Sequence, residues 1–217
     1  MNQTTNTMKR LIILALAIPG FVFGQRPIQS IENKWVSDLV SYRNEQNLPL
    51  VRDSRLDSLA KERFYMIFNS ISKNNLSIIE FHNRFGHGNH GIPELGIPSF
   101  PDYASSKIES SSLQEVCAYV PSNGIKDDKF MTERSNSLGG IFSQYKGSEG
   151  HWRIVSGRIP VLEIVKKYSR GKQEIIKREA IISNDRFGSY TGSFVYEEIS
   201  NGVKSKVTVV FNVSIFE

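Results

Sequence analysis

Val207-Thr208-Val209-Val210-Phe211-Asn212-Val213-Ser214-Ile215, close to the end of the 217-residue chain, decides the fold class. Val207, Val209, Phe211, Val213 and Ile215 alternate with Thr208, Val210, Asn212 and Ser214, and a period of two is that of a β-strand. Residues 193–199 offer a partner run, and Asn201-Gly202 supplies the residues of a tight hairpin turn, where positive φ is needed. An antiparallel sheet is therefore expected to close the chain. Just upstream, 161–168 and 174–182 predict two more strands joined across Ser169-Arg170-Gly171.

The first half carries the period of a helix. Ile31, Trp35 and Leu39, with Val36 and Val40 beside them, follow Ser30, a good N-cap, and the pattern stops at Asn47-Leu48-Pro49 because proline disfavours helical geometry in the residue before it. Asp53 then caps a longer stripe of Leu56, Leu59, Ala60, Phe64, Ile67, Phe68 and Ile71. Helices first and strands last predict an α+β domain whose helices cover an antiparallel sheet. The length suits one such domain over 25–217.

Residues 1–24 stand apart. Met8, Lys9 and Arg10 precede an apolar run over 11–23, and Val22-Phe23-Gly24 before Gln25 has the form of a cleavage site, so the segment reads as a secretory signal peptide. The run is shorter than the ~20 residues that cross a bilayer, and nothing later replaces it. The mature chain is expected to be secreted or periplasmic, with no transmembrane anchor after cleavage. The formal charge of +5 falls to nearer +3 without Lys9 and Arg10. The remaining charges are scattered, which excludes a nucleic-acid partner. Cys117 is the only cysteine, so no internal disulfide exists, and it reads as a small buried side chain rather than a nucleophile.

The chemistry-bearing residues gather in a few places. His82, His87 and His90 open a stretch, 82–112, rich in Gly, Pro, Ser and Asn. It predicts a long irregular loop, of a length compact domains keep mainly for function. The fourth histidine, His151, lies in Tyr145-Lys-Gly-Ser-Glu-Gly-His-Trp152, where Ser148 is placed to cap a helix and Glu149 to favour its first turn. Between them, 113–120 predicts a strand with Glu115 and Cys117 on one side; a carboxylate in so apolar a segment must be paired or ligating. Residues 130–145 show helical spacing of Phe130, Leu138, Ile141, Phe142 and Tyr145, weakened at Gly139-Gly140. No standard zinc motif is present, and Lys146 stands where a serine-hydrolase elbow would need glycine. The residue types point to a histidine-lined cleft that holds a divalent cation or works as acid and base.

Arg43-Asn44-Glu45-Gln46-Asn47-Leu48-Pro49-Leu50 followed by Asp53, Leu56 and Ala60, then the histidine stretch, Glu115, and Tyr145-x-x-Ser148-x-Gly150-His151 resemble, in that order, the CAP or SCP superfamily of cysteine-rich secretory, antigen-five and pathogenesis-related proteins. The resemblance spans roughly 31–155. Tyr145 replaces the usual tryptophan, Val116-Cys117 replaces Asn-Ile after the glutamate, and the absence of disulfides resembles a bacterial member. It implies an α-β-α sandwich with a central antiparallel sheet flanked by helices. It further implies a cleft lined by Glu115, His151 and a first histidine, for which His87 is preferred to His82 and His90; Glu133 is the candidate for a second glutamate. Residues 160–182 exceed what the family's closing hairpin needs. The function so implied is that of an exported binding module whose His87, His151 and Glu115 coordinate a divalent cation, Zn or Ca, and whose partner is a small ligand, a lipid or an extracellular protein. The alternative is a metal-dependent hydrolase of the cell envelope, acting on peptides or esters with Glu115 as general base; whether the chain is an enzyme stays open.

Overall fold

A computed structural model describes residues 33–217 apart from 75, 86–90, 110–111, 170–171, 183 and 201–202. The segment 1–24 expected to be a signal peptide, the cap expected at Ser30 and Ile31 lie outside the described residues, as do His87, His90 and the turn expected at Asn201-Gly202.

The closing hairpin is present as β5 (Arg186–Ser200) and β6 (Val203–Phe216), antiparallel, with Ser200 opposite Val203. β2 (Gln114–Asn123) pairs antiparallel along the other edge of β6, and the short β1 (Val51–Arg52) pairs parallel with β5, giving the order β1-β5-β6-β2. The molecule is thus an α+β fold with a central, mostly antiparallel sheet flanked by helices. No helix among the described residues is long and apolar enough to cross a membrane. The strands expected over 161–168 and 174–182 form as β3 (Ile159–Ser169) and β4 (Lys172–Ile182). They pair only with each other, as a separate two-stranded sheet.

Alternating apolar and polar residues on a strand usually mark a sheet with one wet face. On β6 every residue from Val207 to Phe216 is buried. Val207, Val209, Phe211, Val213 and Ile215 join Leu56, Phe64, Ile67 and Ile71 of α2 (Ser54–Asn74), while Val210 and Phe216 face the opposite core of Trp35, Leu39, Met131, Ile141, Tyr145 and Val155. That second core is supplied by α1 (Lys34–Glu45), α5 (Asp128–Ser135), α6 (Ile141–Gly147) and α7 (Glu149–Ser156). The close seat of α2 depends on Gly188 of β5: a Cβ there would overlap the Leu56 backbone.

The irregular loop expected over 82–112 is corrected by the structure. α3 (Ile78–Phe85) takes in its start, a 3-10 turn (Pro93–Leu95) and α4 (Phe100–Ser105) follow, and Ile92 and Ile97 form a β-bridge. The prolines punctuate rather than unfold the segment, because proline is tolerated in a helix's first turn where no N–H is needed. Ser99 caps α4 by accepting from Asp102 N at 3.2 Å, and Ile92, Ile97, Phe100, Tyr103 and Ala104 are buried on the α2 side. The helix expected over 130–145 is likewise broken, into α5 and α6. Gly139 has φ +83°, and a Cβ on Gly140 would strike the Ser135 carbonyl.

α1 ends where Asn47 takes φ 56°, a left-handed geometry that asparagine accepts. There Arg43, fully buried, binds the surrounding carbonyls. Its Nε donates to Leu48 O at 2.8 Å, Nη1 to Asn184 Oδ1 at 2.8 Å and to Val155 O at 3.3 Å, and Nη2 to Asn184 O. One guanidinium thereby ties the end of α1, the end of α7 and the entry to β5. Gly157, which ends α7 at φ +82°, leaves the space it fills. Arg43→Ala should lower unfolding stability by about 3 kcal/mol or more, and Arg43→Lys should recover less than half of that, since a point ammonium cannot serve the planar fan of acceptors; urea denaturation measures both.

Asp53 caps α2 as expected, its Oδ1 accepting from Arg55 N at 2.8 Å and its Oδ2 from Arg55 Nη2 at 2.6 Å. These bonds to Arg55 hold its carboxyl down from 3.8 to about 2. A carboxyl whose folded value is depressed stabilises fully above its unfolded value and loses that contribution as pH falls through the folded one. Asp53→Asn should therefore lower the melting temperature at pH 6 and flatten its fall between pH 4 and pH 2, followed by circular dichroism.

Candidate functional site

Glu115 lies on β2 opposite Ile215 of β6. Its i±2 neighbours Leu113 and Cys117 pack on the α2 side, whereas Val116 and Ala118 enter the opposite core. Glu115 therefore faces α2, where it meets Arg63. Arg63 Nε donates to Glu115 Oε1 at 2.9 Å, with the two side chains 0% and 3% exposed. Arg63 Nη1 also donates to Pro98 O at 3.0 Å and lies 3.6 Å from Met66 Sδ, and the guanidinium stands 5.2 Å from the centroid of the Tyr103 ring. Burial pushes the Glu115 carboxyl above its ordinary range, against the pull of Arg63. Burial, then Glu115, also push the Cys117 thiol well up, so it stays protonated; the residue is only partly buried, where the sequence predicts full burial. Glu115 Oε2 is buried and has no hydrogen-bond partner among the described residues.

Over this pair runs a groove of about 550 Å³ between α2 and α4, lined by Lys61, Glu62, Tyr65, Met66, Tyr103 and Lys107 among others. Tyr103 belongs to both, one of its neighbours being Arg63 below and another Lys107, whose Nζ lies 6.0 Å from the ring centroid. Lys107 Nζ pairs with Glu62 Oε2 at 2.9 Å, which keeps the Glu62 carboxyl below its ordinary range.

His151 is on the other side of the sheet. It sits in the first turn of α7, half-buried, with its ring edge-on to Tyr145 at 5.7 Å between centroids. Tyr145 is buried, and its hydroxyl donates to Asn212 Oδ1 on β6. Ser148 occupies the N-cap of α7 as expected, yet its side chain makes no capping bond. Next to His151, Trp152 packs against Tyr42 at 4.9 Å and Phe142 at 6.1 Å.

The structure places two of the residues proposed for one cleft, Glu115 and His151, on opposite sides of the sheet. His82 is carried by α3, on the Glu115 side, where Ile78 and Phe81 join the α2 core. His87 and His90 lie outside the described residues, and Glu133 is exposed on α5. Among the described residues no group of three His, Cys, Asp or Glu side chains is placed to hold a metal ion.

Arg63 is the residue that sequence reasoning missed, although its position was informative. It falls between Leu59, Ala60 and Ile67 on the apolar stripe of α2, so a helix built on that stripe must bury a guanidinium, and a buried guanidinium needs a carboxylate.

Profiles of known protein families, curated proteins and solved structures give no match to this chain.

Glu115→Ala should destabilise the fold by about 3–5 kcal/mol by stranding the Arg63 charge, while the double replacement Arg63→Met with Glu115→Leu should recover most of the loss, because the pair is costly to desolvate and cheap to replace as a unit. Guanidinium denaturation of both single variants and the double variant gives the coupling.

Proposed function

We propose that this chain is an exported, CAP-like binding module, and that its cation, where it takes one, is held on the α2 side of the sheet by Glu115 together with histidines of the 82–90 segment. The observation that carries this reading is the buried Glu115 Oε2, which has no hydrogen-bond partner among the described residues although Oε1 accepts from Arg63, on the same side of the sheet as α3, which carries His82. A carboxylate oxygen buried without a donor is destabilising unless a cation or an imidazole N–H meets it. Zn or Ca are the candidate ions; zinc suits mixed imidazole and carboxylate ligands, and calcium would ask for more oxygens than the described residues offer.

The CAP-like reading is supported by how its motif residues are used. Arg43 with Leu48 and Pro49 closes α1, Asp53 opens α2, Glu115 sits on β2, the edge strand paired with β6, and Tyr145 with His151 anchors α6 and α7. The groove along α2 and α4 offers two ammonium groups, a carboxylate and two phenols to a small ligand or lipid, and its volume is that of a small-molecule site.

Nothing favours the hydrolase alternative. A general base must reach water, whereas Glu115 is buried and one of its oxygens already accepts from Arg63.

Elemental analysis of chain purified without chelator should find about one zinc per molecule, and added zinc should raise the melting temperature. The zinc and the thermal shift should be lost in His87→Ala or in one of His82→Ala and His90→Ala, and kept in His151→Ala. Chain free of metal that also ignores added zinc and calcium refutes the cation, and loss of metal in His151→Ala restores a cleft shared with α7.

A further inference from the structure

In the helix layer opposite α2, three aromatic rings from three helices converge on one ammonium. Tyr42 lies in the last turn of α1, Phe142 one turn before Lys146 on α6, and Trp152 near the start of α7. Lys146 Nζ stands 4.3 Å from the centroid of the Phe142 ring and 5.7 Å from those of Tyr42 and Trp152. All three distances fall within the reach at which the negative face of an aromatic ring attracts a cation. The rings also meet one another at a slant, Tyr42 with Trp152 at 54° and Phe142 with Trp152 at 62°, so they stand as walls around a point rather than as a stack.

Packing alone does not ask for this arrangement. A lysine that served to cover apolar surface would lay its stem on the rings and hold its head in water, whereas here the head itself is among them. Lys146 is exposed and the three rings are half-buried, so the cage opens to solvent. A primary ammonium is a compact and strongly hydrated charge, which gains little by leaving water. A quaternary ammonium has no N–H to keep hydrated, and it is the cation that aromatic cages hold best. Lys146 thus reveals the charge preference of the cage while being a weak occupant of it, and an exposed side chain leaves by rotation alone.

A groove of about 440 Å³, the size of a small-molecule site, adjoins the cage and shares Phe142 and Lys146 with it. Two of its other lining residues carry unmet chemistry. Asp38 is joined to Lys34 by a loose pair at 3.9 Å with both groups exposed. The Trp35 indole N–H is buried and has no acceptor among the described residues, which calls for an oxygen on whatever fills the groove. We propose that Tyr42, Phe142 and Trp152 bind the trimethylammonium group of a small oxygen-bearing compound, of the choline and betaine class, and that Lys146 is a resident cation which this ligand displaces. The site lies on the other side of the sheet from Glu115 and stands or falls apart from the cation proposed there.

The chain has two tryptophans, so the Trp152 indole N–H resonance of the purified full chain, assigned by its loss in Trp152→Phe, reports on the cage. Choline, glycine betaine and tetramethylammonium should each move it, with a Kd on the order of 1 mM or below for the best of them. The neutral isostere of choline, in which a tert-butyl group replaces trimethylammonium, should bind about tenfold more weakly or worse. Phe142→Leu and Tyr42→Leu should each weaken binding about tenfold; two variants are made because circular dichroism must show that at least one keeps the fold. Lys146→Ala should tighten binding about threefold or more by vacating the cage, and the gain should persist in about 0.5 M salt, which screens a merely repulsive charge. Choline binding above betaine assigns a plain cation with Asp38 as its counter-charge, and the reverse assigns a zwitterion whose carboxylate meets the released Lys146. No shift at about 50 mM of any of the three, or equal binding of the neutral isostere, overturns the ammonium site. An affinity unchanged in Lys146→Ala overturns Lys146 as the resident competitor.

Discussion

Asn212 on β6 is the point from which the rest of the sandwich can be understood. With helices on both faces of the sheet, a polar side chain on the central hairpin has no water to turn to and must find every partner within the fold. Asn212 does so: its Nδ2 donates to Ser189 Oγ at 2.9 Å and Thr191 Oγ1 at 2.8 Å, and its Oδ1 accepts from Ser214 Oγ at 2.8 Å and from Tyr145. The last of these contacts crosses from sheet to helix layer. It gives a physical reason for tyrosine at 145, since an indole N–H has a different reach and cannot accept. It also makes His151 in part a packing residue, its ring laid against the tyrosine that holds α6 to the sheet.

The two buried arginines show how the same group can serve different ends. Arg43 is surrounded by carbonyl oxygens and the Asn184 amide, and burial lowers its pKa, with Asp185 opposing. Its geometry is a fan of acceptors from chain segments far apart in sequence, so it acts as a staple. Arg63 instead faces one carboxylate, with Tyr103 over it and the Pro98 carbonyl at its end. That pair joins α2, β2 and the turn before α4, the segments that frame the groove and stand on the side where α3 leads to the histidines. The first arginine secures the architecture, and the second fixes the shape of the candidate site.

Much of this was legible in the residues. The alternation over 207–215 and the stripe from Leu56 to Ile71 named the strand and the helix that form the centre, because burial and period coincide there. The α-helical stretch at 130–145 was legible in its apolar spacing but not in its continuity: Gly139 takes a left-handed backbone and Gly140 must pass against Ser135, and neither is visible from period alone. Over 82–112 the prolines and serines resemble a loop because short helices place in their first turns the very residues that would end a long one. There Ser99 and Pro101 are a cap and a first turn, and Phe100 and Tyr103 are core.

The sidedness of the site was not legible, and the reason is general. Alternation on β2 states that Glu115 and Val116 point opposite ways, but it does not state which helices wait on either side. That is decided by the connections: α2 follows β1 and packs on β5 and β6, while α6 and α7 follow β2 and return against it with α1. Glu115 therefore meets α2 and Arg63, and His151 arrives with the helices of the other layer. Two residues can belong to one motif order and still point to opposite faces of a sheet. A carboxylate on a central sheet can serve one face only, and here Arg63, buried on the α2 stripe, determines that it is the face bearing α3.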